Sequence, residues 1–245
     1  SANALTGLGI TFPILCLVTA FANLFGGGGA PLFSIAWGKG DRQTAEEIMG
    51  NSFALLLGTG ALLTAVILLF KQPLLYLFGA SEVTFPYADQ YLTIYICGSI
   101  FVMAGLGMNN FINAQGFARV GMGTVLIGAV LNLILDPIFI FGLDLGISGA
   151  AIATLLSQCV SASILASFFL RGQSEIRVSI RCVSTAPKIY LTIFKSGMPS
   201  FFRQGMASVS AMALNFNAGV YGDAAVAAMA IVTKVFNFLL SAVIG

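Results

Sequence analysis

A carboxylate inside an oily stretch is the feature of this sequence most in need of a chemical reason. Asp136 stands in the string Asn132-Leu133-Ile134-Leu135-Asp136-Pro137, within a long apolar run. Asn132 lies four residues earlier, so a helix carries both on one face. Pro137 disrupts a helix near Asp136 and frees a backbone carbonyl in the turn before it, and cations bound inside membranes use such carbonyls. The tight turn Gly142-Leu143-Asp144-Leu145-Gly146 follows. Asp136 lies about nine residues before its centre and Thr154 about nine after, so at ~1.5 Å rise per residue an antiparallel hairpin brings both to similar depth. Asn132, Asp136 and Thr154 are therefore expected to converge. Their carboxylate, amide and hydroxyl oxygens are hard ligands suited to Na⁺, and a proton is the alternative passenger on the same carboxyl. On spacing alone, a local cap and kink fits these residues as well as an ion site does.

Two further ionisable residues fall inside apolar runs, Arg203 and Lys234. A charge at bilayer depth costs about 2.5–3.5 kcal/mol on insertion scales, so such residues usually face a cavity or a partner. Arg203 is expected one to two turns into its span, near the cytoplasmic side, where its guanidinium reaches the headgroups. Substrate contact is its other reading. Lys234 lies nearer mid-span, and with Arg203 and the neutral Gln204 it completes the candidate lining of a substrate cavity. Gly26-Gly27-Gly28-Gly29-Ala30-Pro31 has no following Gly-Lys-Ser/Thr and sits in an apolar run, which excludes a phosphate-cradling loop. Helix bending or close packing is its expected role. There is no histidine, no nucleophile elbow and no metal-ligand cluster, so an enzyme and a resident cofactor are not expected. Cys16, Cys97, Cys159 and Cys182 are far apart and read as small apolar residues.

The elements that must position these groups are membrane helices. Charged residues make up 8% of the chain and hydrophobic ones 58%, whereas soluble domains carry roughly 25% charged residues. So few charges cannot cover a water-facing surface, so lipid is the expected solvent and the fold all-α. About 20 apolar residues span a bilayer, and seven candidate spans result: 5–36 (with a glycine break), 47–70, 87–113, 120–142, 147–170, 189–217 and 224–245. Between the first two, Gly and charge end one helix, and Glu46 and Glu47 suit the first turn of the next. Alternate connections share a face. One face holds Lys39, Arg42, Arg119, Arg171, Arg177, Arg181 and Lys188; the other holds only Lys71. The positive-inside rule places the rich face in the cytoplasm. Residues 172–188 form the expected cytoplasmic linker, with an amphipathic segment on the membrane surface as one option. The net charge of +2 is too small to argue for nucleic acid. The chain lacks an initiator Met and runs from one apolar pattern into another, so both ends are expected to be cut.

Three strings carry a family resemblance. AFANLFGGGGAPLFSIAWGKGD, Ala20 to Asp41, resembles the second helix and following loop of the MATE (multidrug and toxin extrusion) transporters. NLILDPIFIFGLDLGISGAAIATLLSQ, Asn132 to Gln158, is similar to their fifth and sixth helices and is the most specific of the three. GMPSFFRQG, Gly197 to Gly205, resembles the start of their seventh. The resemblance covers essentially the whole chain in order. It implies a polytopic bundle: seven spans of a twelve-helix, two-lobe transporter, without helix one and helices nine to twelve. Residues 1–171 would form the first lobe, 172–188 the linker and 189–245 the start of the second. It implies a multi-pass plasma-membrane antiporter, expected as a monomer in lipid, that exports cationic and amphipathic drugs in exchange for Na⁺ or H⁺. Asn132, Asp136 and Thr154 match the family's first-lobe cation site, to which helix one normally adds another acid. Some members also carry a Glu on helix seven; here no carboxylate lies between Lys188 and Gly222, so coupling through the first lobe alone is expected. A lipid-linked oligosaccharide flippase of a related superfamily is the alternative, weakened by having only Arg203 and Lys234 as cavity bases. A channel or membrane-embedded enzyme is weaker still.

Overall fold

The computed structural model describes residues 2–171, 187–222 and part of 225–236. Among the described residues, every regular element is helical. Helix α1 (Ala2–Ala22) continues through a five-residue π turn (Asn23–Gly27) into α2 (Gly28–Gly38). Then come α3 (Arg42–Leu69), α4 (Lys71–Leu77), α5 (Phe85–Cys97), α6 (Ser99–Ala114), α7 (Ala118–Pro137), a second π turn (Ile138–Gly142), α8 (Gly146–Leu170) and α9 (Pro187–Gly219).

Among the described residues, four stretches are long and apolar enough to cross a membrane: Leu5–Gly38, Arg42–Leu69, Ala118–Gly142 and Gly146–Leu170. The pair α5 and α6, bent by 54° at Gly98, makes a fifth if taken as one span. These five correspond to the first five expected spans. The expected sixth is α9, long enough at 33 residues but outside that apolar set, since Lys195, Arg203 and Gln204 interrupt it. The expected seventh, 224–245, lies largely outside the described residues, as do residues 172–186 of the linker. The Lys71–Tyr87 connection holds α4, whose Lys71 pairs with Asp89 of α5 at 2.7 Å, so the one basic residue of the outer face is tied down by a carboxylate.

Helix α3 starts earlier than its apolar run. Asp41 caps it, accepting from the Thr44 backbone N–H at 3.1 Å and the Thr44 hydroxyl at 2.7 Å. Glu46 and Glu47 thus fall in its second turn, and the first-turn anion is replaced by the cap itself.

The glycine run packs closely, as one of its two expected roles had it. The first π turn widens the helix there, and the bare backbone admits neighbours on several sides. A Cβ on Gly28 would lie 2.6 Å from the Ile193 carbonyl and 2.7 Å from the Gly197 Cα, so α2 and α9 cross backbone to backbone. Around this crossing runs a continuous core that includes Ile14, Leu24, Phe33, Leu56, Met103 and Ile193. Met122, Val125, Leu126 and Leu133 of α7 stay exposed, as apolar residues do when their solvent is hydrocarbon.

Candidate functional site

The α7–α8 hairpin positions the acidic group. Its turn takes Asp144 and Gly146 into the left-handed region, with φ of 52° and 56°. Leu143 and Leu145 donate back to the carbonyls of Ile138 and Phe139 at 2.9 and 3.1 Å, which closes the hairpin tightly. Gly149 lets α8 press on the widened end of α7: a Cβ there would be 2.6 Å from the Phe139 carbonyl. Pro137 is the last residue of α7 but does not stop the helical path. The helix passes through it and then relaxes into the second π turn, so Asp136 keeps helical geometry and its four-residue relation to Asn132.

The three expected residues meet. The Asn132 amide Nδ2 donates to Asp136 Oδ1 at 3.4 Å and to Thr154 Oγ1 at 3.3 Å. Thr154 donates its own hydroxyl hydrogen to the Ala150 carbonyl at 2.9 Å, so its lone pairs face the cluster. Both Asn132 bonds are long, at the weak end of the range. All three side chains are half-buried.

Tyr91 belongs beside them, and sequence reasoning missed it. It is buried on α5, its hydroxyl reaches Thr154, and it lies within the field of Asp136. Only the packing of α5 on α8 brings it there, helped by the Ser148 hydroxyl donating to Gln90 at 3.4 Å. An aromatic in an apolar run carries no such signal in one dimension.

The proposed substrate-cavity residues do not join this cluster. Gln204 is half-buried and donates to the Thr19 hydroxyl at 3.3 Å, linking α9 to α1. Arg203 is exposed and lies midway along α9 rather than one or two turns in, because that helix starts at Pro187 and runs 33 residues. Lys234 lies outside the described residues. Among the described residues no group of three acidic, cysteine or histidine side chains gathers to hold a metal. The donor set at Asp136 is one carboxylate, one amide and hydroxyls, which suits a monovalent cation or a proton.

A cavity of about 310 Å³ opens off the cluster, with Asn132 and Thr154 in its wall and α6, α7 and α8 around it. Asn109, Thr124, Ser157 and Ser161 also line it.

Comparison with known proteins agrees in family and fold. The family model described as MatE matches residues 1–138. The multidrug export protein MepA of Staphylococcus saprophyticus is 28% identical over 236 residues, covering 96% of this chain and 52% of its own length. MepA of Staphylococcus aureus is 27% identical with the same coverage. The chain thus spans about half the length of the curated relatives it matches. The solved MATE multidrug transporter DinF-BH superposes with a TM-score of 0.91 at 31% identity, over 98% of this chain and 54% of that one. An inward-facing MATE transporter superposes with a TM-score of 0.90 at 27% identity, over 94% and 53%.

Proposed function

The chain belongs to the MatE family, and we propose that it works within a multidrug efflux transporter that exchanges cationic and amphipathic compounds for Na⁺ or H⁺. The observation that carries this reading is the meeting of Asn132, Asp136 and Thr154 between two helices long and apolar enough to cross a membrane. The multidrug export named for the MepA relatives supports the substrate class. In this reading residues 1–171 are the first lobe, 172–188 the linker and 189–245 the start of the second. The α2–α9 backbone crossing then joins one lobe to the other.

Asp136 is the exchangeable charge. With a cation or proton seated, the carboxylate is neutralised and Asn132 turns its carbonyl oxygen to the ion or its amide to Thr154. Without one, in this reading, the Asn132 amide is free to bridge both partners. The two arrangements favour different packings of α7 on α8. An effector can drive export only through such a difference in affinity between states. Asp136→Asn keeps the shape and removes the charge. In the full-length transporter, expressed in cells that lack their own exporters, this variant should reach the membrane at wild-type levels and confer no drug resistance. Wild-type resistance from it would reject the coupling role.

A further inference from the structure

The Asp136 cluster sits toward the α7–α8 turn, and the cavity beside it runs the other way. Along α7, Asn132, Gly128 and Thr124 follow at four-residue spacing on one face. From Asn132 to Thr124 is about 12 Å along the axis, toward the end that carries Arg119. On α8, Thr154, Ser157 and Ser161 descend in parallel.

The hydroxyls of this row all donate to main-chain carbonyls. Thr124 donates to the Gly121 carbonyl at 2.8 Å, Ser157 to that of Ala153 at 2.8 Å and Ser161 to that of Thr124 at 3.2 Å. Each hydroxyl hydrogen is therefore spent on the main chain, and the oxygens are left with lone pairs only. No basic side chain lines the cavity among the described residues. Beyond Thr124 the polar line continues: Asn109 donates to the Gly121 carbonyl at 2.9 Å, and Asn113 to Asn109 at 2.8 Å. Asn113 is exposed, at the last turn of α6 on the basic face.

A wall of hydroxyl and amide groups with no charged side chain offers a cation a run of oxygens to pass along. We propose that this row is the inner half of the coupling ion's path: a water-bearing conduit inside the first lobe that carries Na⁺ or a proton from Asp136 to the cytoplasm past Ser157, Ser161, Thr124 and Asn109. This rests on the antiport reading above, and it adds a route and a set of residues to it. Gly128 keeps the conduit narrow, since a Cβ there would run into the Ser161 hydroxyl.

The test uses the full-length transporter without its native cysteines. Thr124→Cys and Ser161→Cys are labelled with a membrane-impermeant cationic thiol reagent from the cytoplasmic side of inverted vesicles. Labelling should proceed, and saturating coupling ion should slow it. In proteoliposomes, the double variant Thr124→Val with Ser161→Ala should slow drug-driven ion flux by about tenfold through loss of two polar partners, with equilibrium ion binding at wild-type strength. Cysteines that never label, because other parts of the transporter fill the groove or it is dry, would overturn the conduit. So would wild-type flux in the double variant. Asp136→Asn run alongside separates the two readings: if it loses ion binding while the double variant flows normally, the conduit alone fails. If it keeps coupled flux, the antiport reading fails and the conduit with it.

Discussion

Asn132 is the residue on which the cluster turns, because one amide serves two partners on two helices. Removing it leaves Asp136 and Thr154 in place but uncorrelated. Polar contacts inside membranes average about 0.6 kcal/mol, so Asn132→Ala should weaken the ion dependence of export by roughly three- to tenfold. Titrating export rate against Na⁺ and against pH would read this. Thr154→Val should cost less, since it keeps shape and loses one oxygen. Tyr91→Phe should lower the export rate several-fold, yet less than Asp136→Asn, because the phenol acts on the carboxylate through Thr154. The trio was legible in the sequence because helix period and hairpin depth are one-dimensional rules. Tyr91 was not, since its place depends on which helix packs beside α8. Arg203 was counted one to two turns into its span, although the expected span 189–217 and α9 itself both put it near the middle.

Helices carry these residues to one depth, and their junctions are where single changes should be felt most. Gly197 faces the first lobe with no room for a side chain: a Cβ would collide with the Leu24 carbonyl. Gly197→Leu should therefore cost about 1–3 kcal/mol or more by overpacking, read as a lower unfolding temperature in detergent together with lost export. A milder effect belongs to the start of α3. The hydrogen bonds from Thr44 hold the Asp41 carboxyl below its ordinary pKa. A lowered folded value means that the ionised cap helps at neutral pH, and that this help fades as pH falls through the lowered value. Asp41→Ala should thus lower the unfolding temperature slightly at about pH 7, and its difference from wild type should shrink as the carboxyl is protonated in acid. The first five spans could be read from apolar length. The two π turns and the 54° bend at Gly98 could not, because they arise where glycine or proline meets a particular neighbour. Glu46 and Glu47 misled for a related reason: helix α3 begins in the polar loop, ahead of any apolar signal.

For the molecule as a whole, the resemblance to both inward- and outward-facing MATE transporters matters, with TM-scores of 0.90 and 0.83. Much of the fold is common to both. In the exchange proposed above, the change between states falls on contacts between helices such as the α2–α9 crossing, the α7–α8 hairpin is the element that the ion addresses, and export and ion movement are two sides of one process. Full-length protein in sealed proteoliposomes, given a gradient of a cationic drug, provides the measurement: movement of Na⁺ or H⁺ against the drug, in wild type and in Asp136→Asn. Wild type should drive the ion in the opposite direction to the drug, and Asp136→Asn should drive none while still binding the drug. Undiminished counterflow through Asp136→Asn would mean that the ion lodges elsewhere.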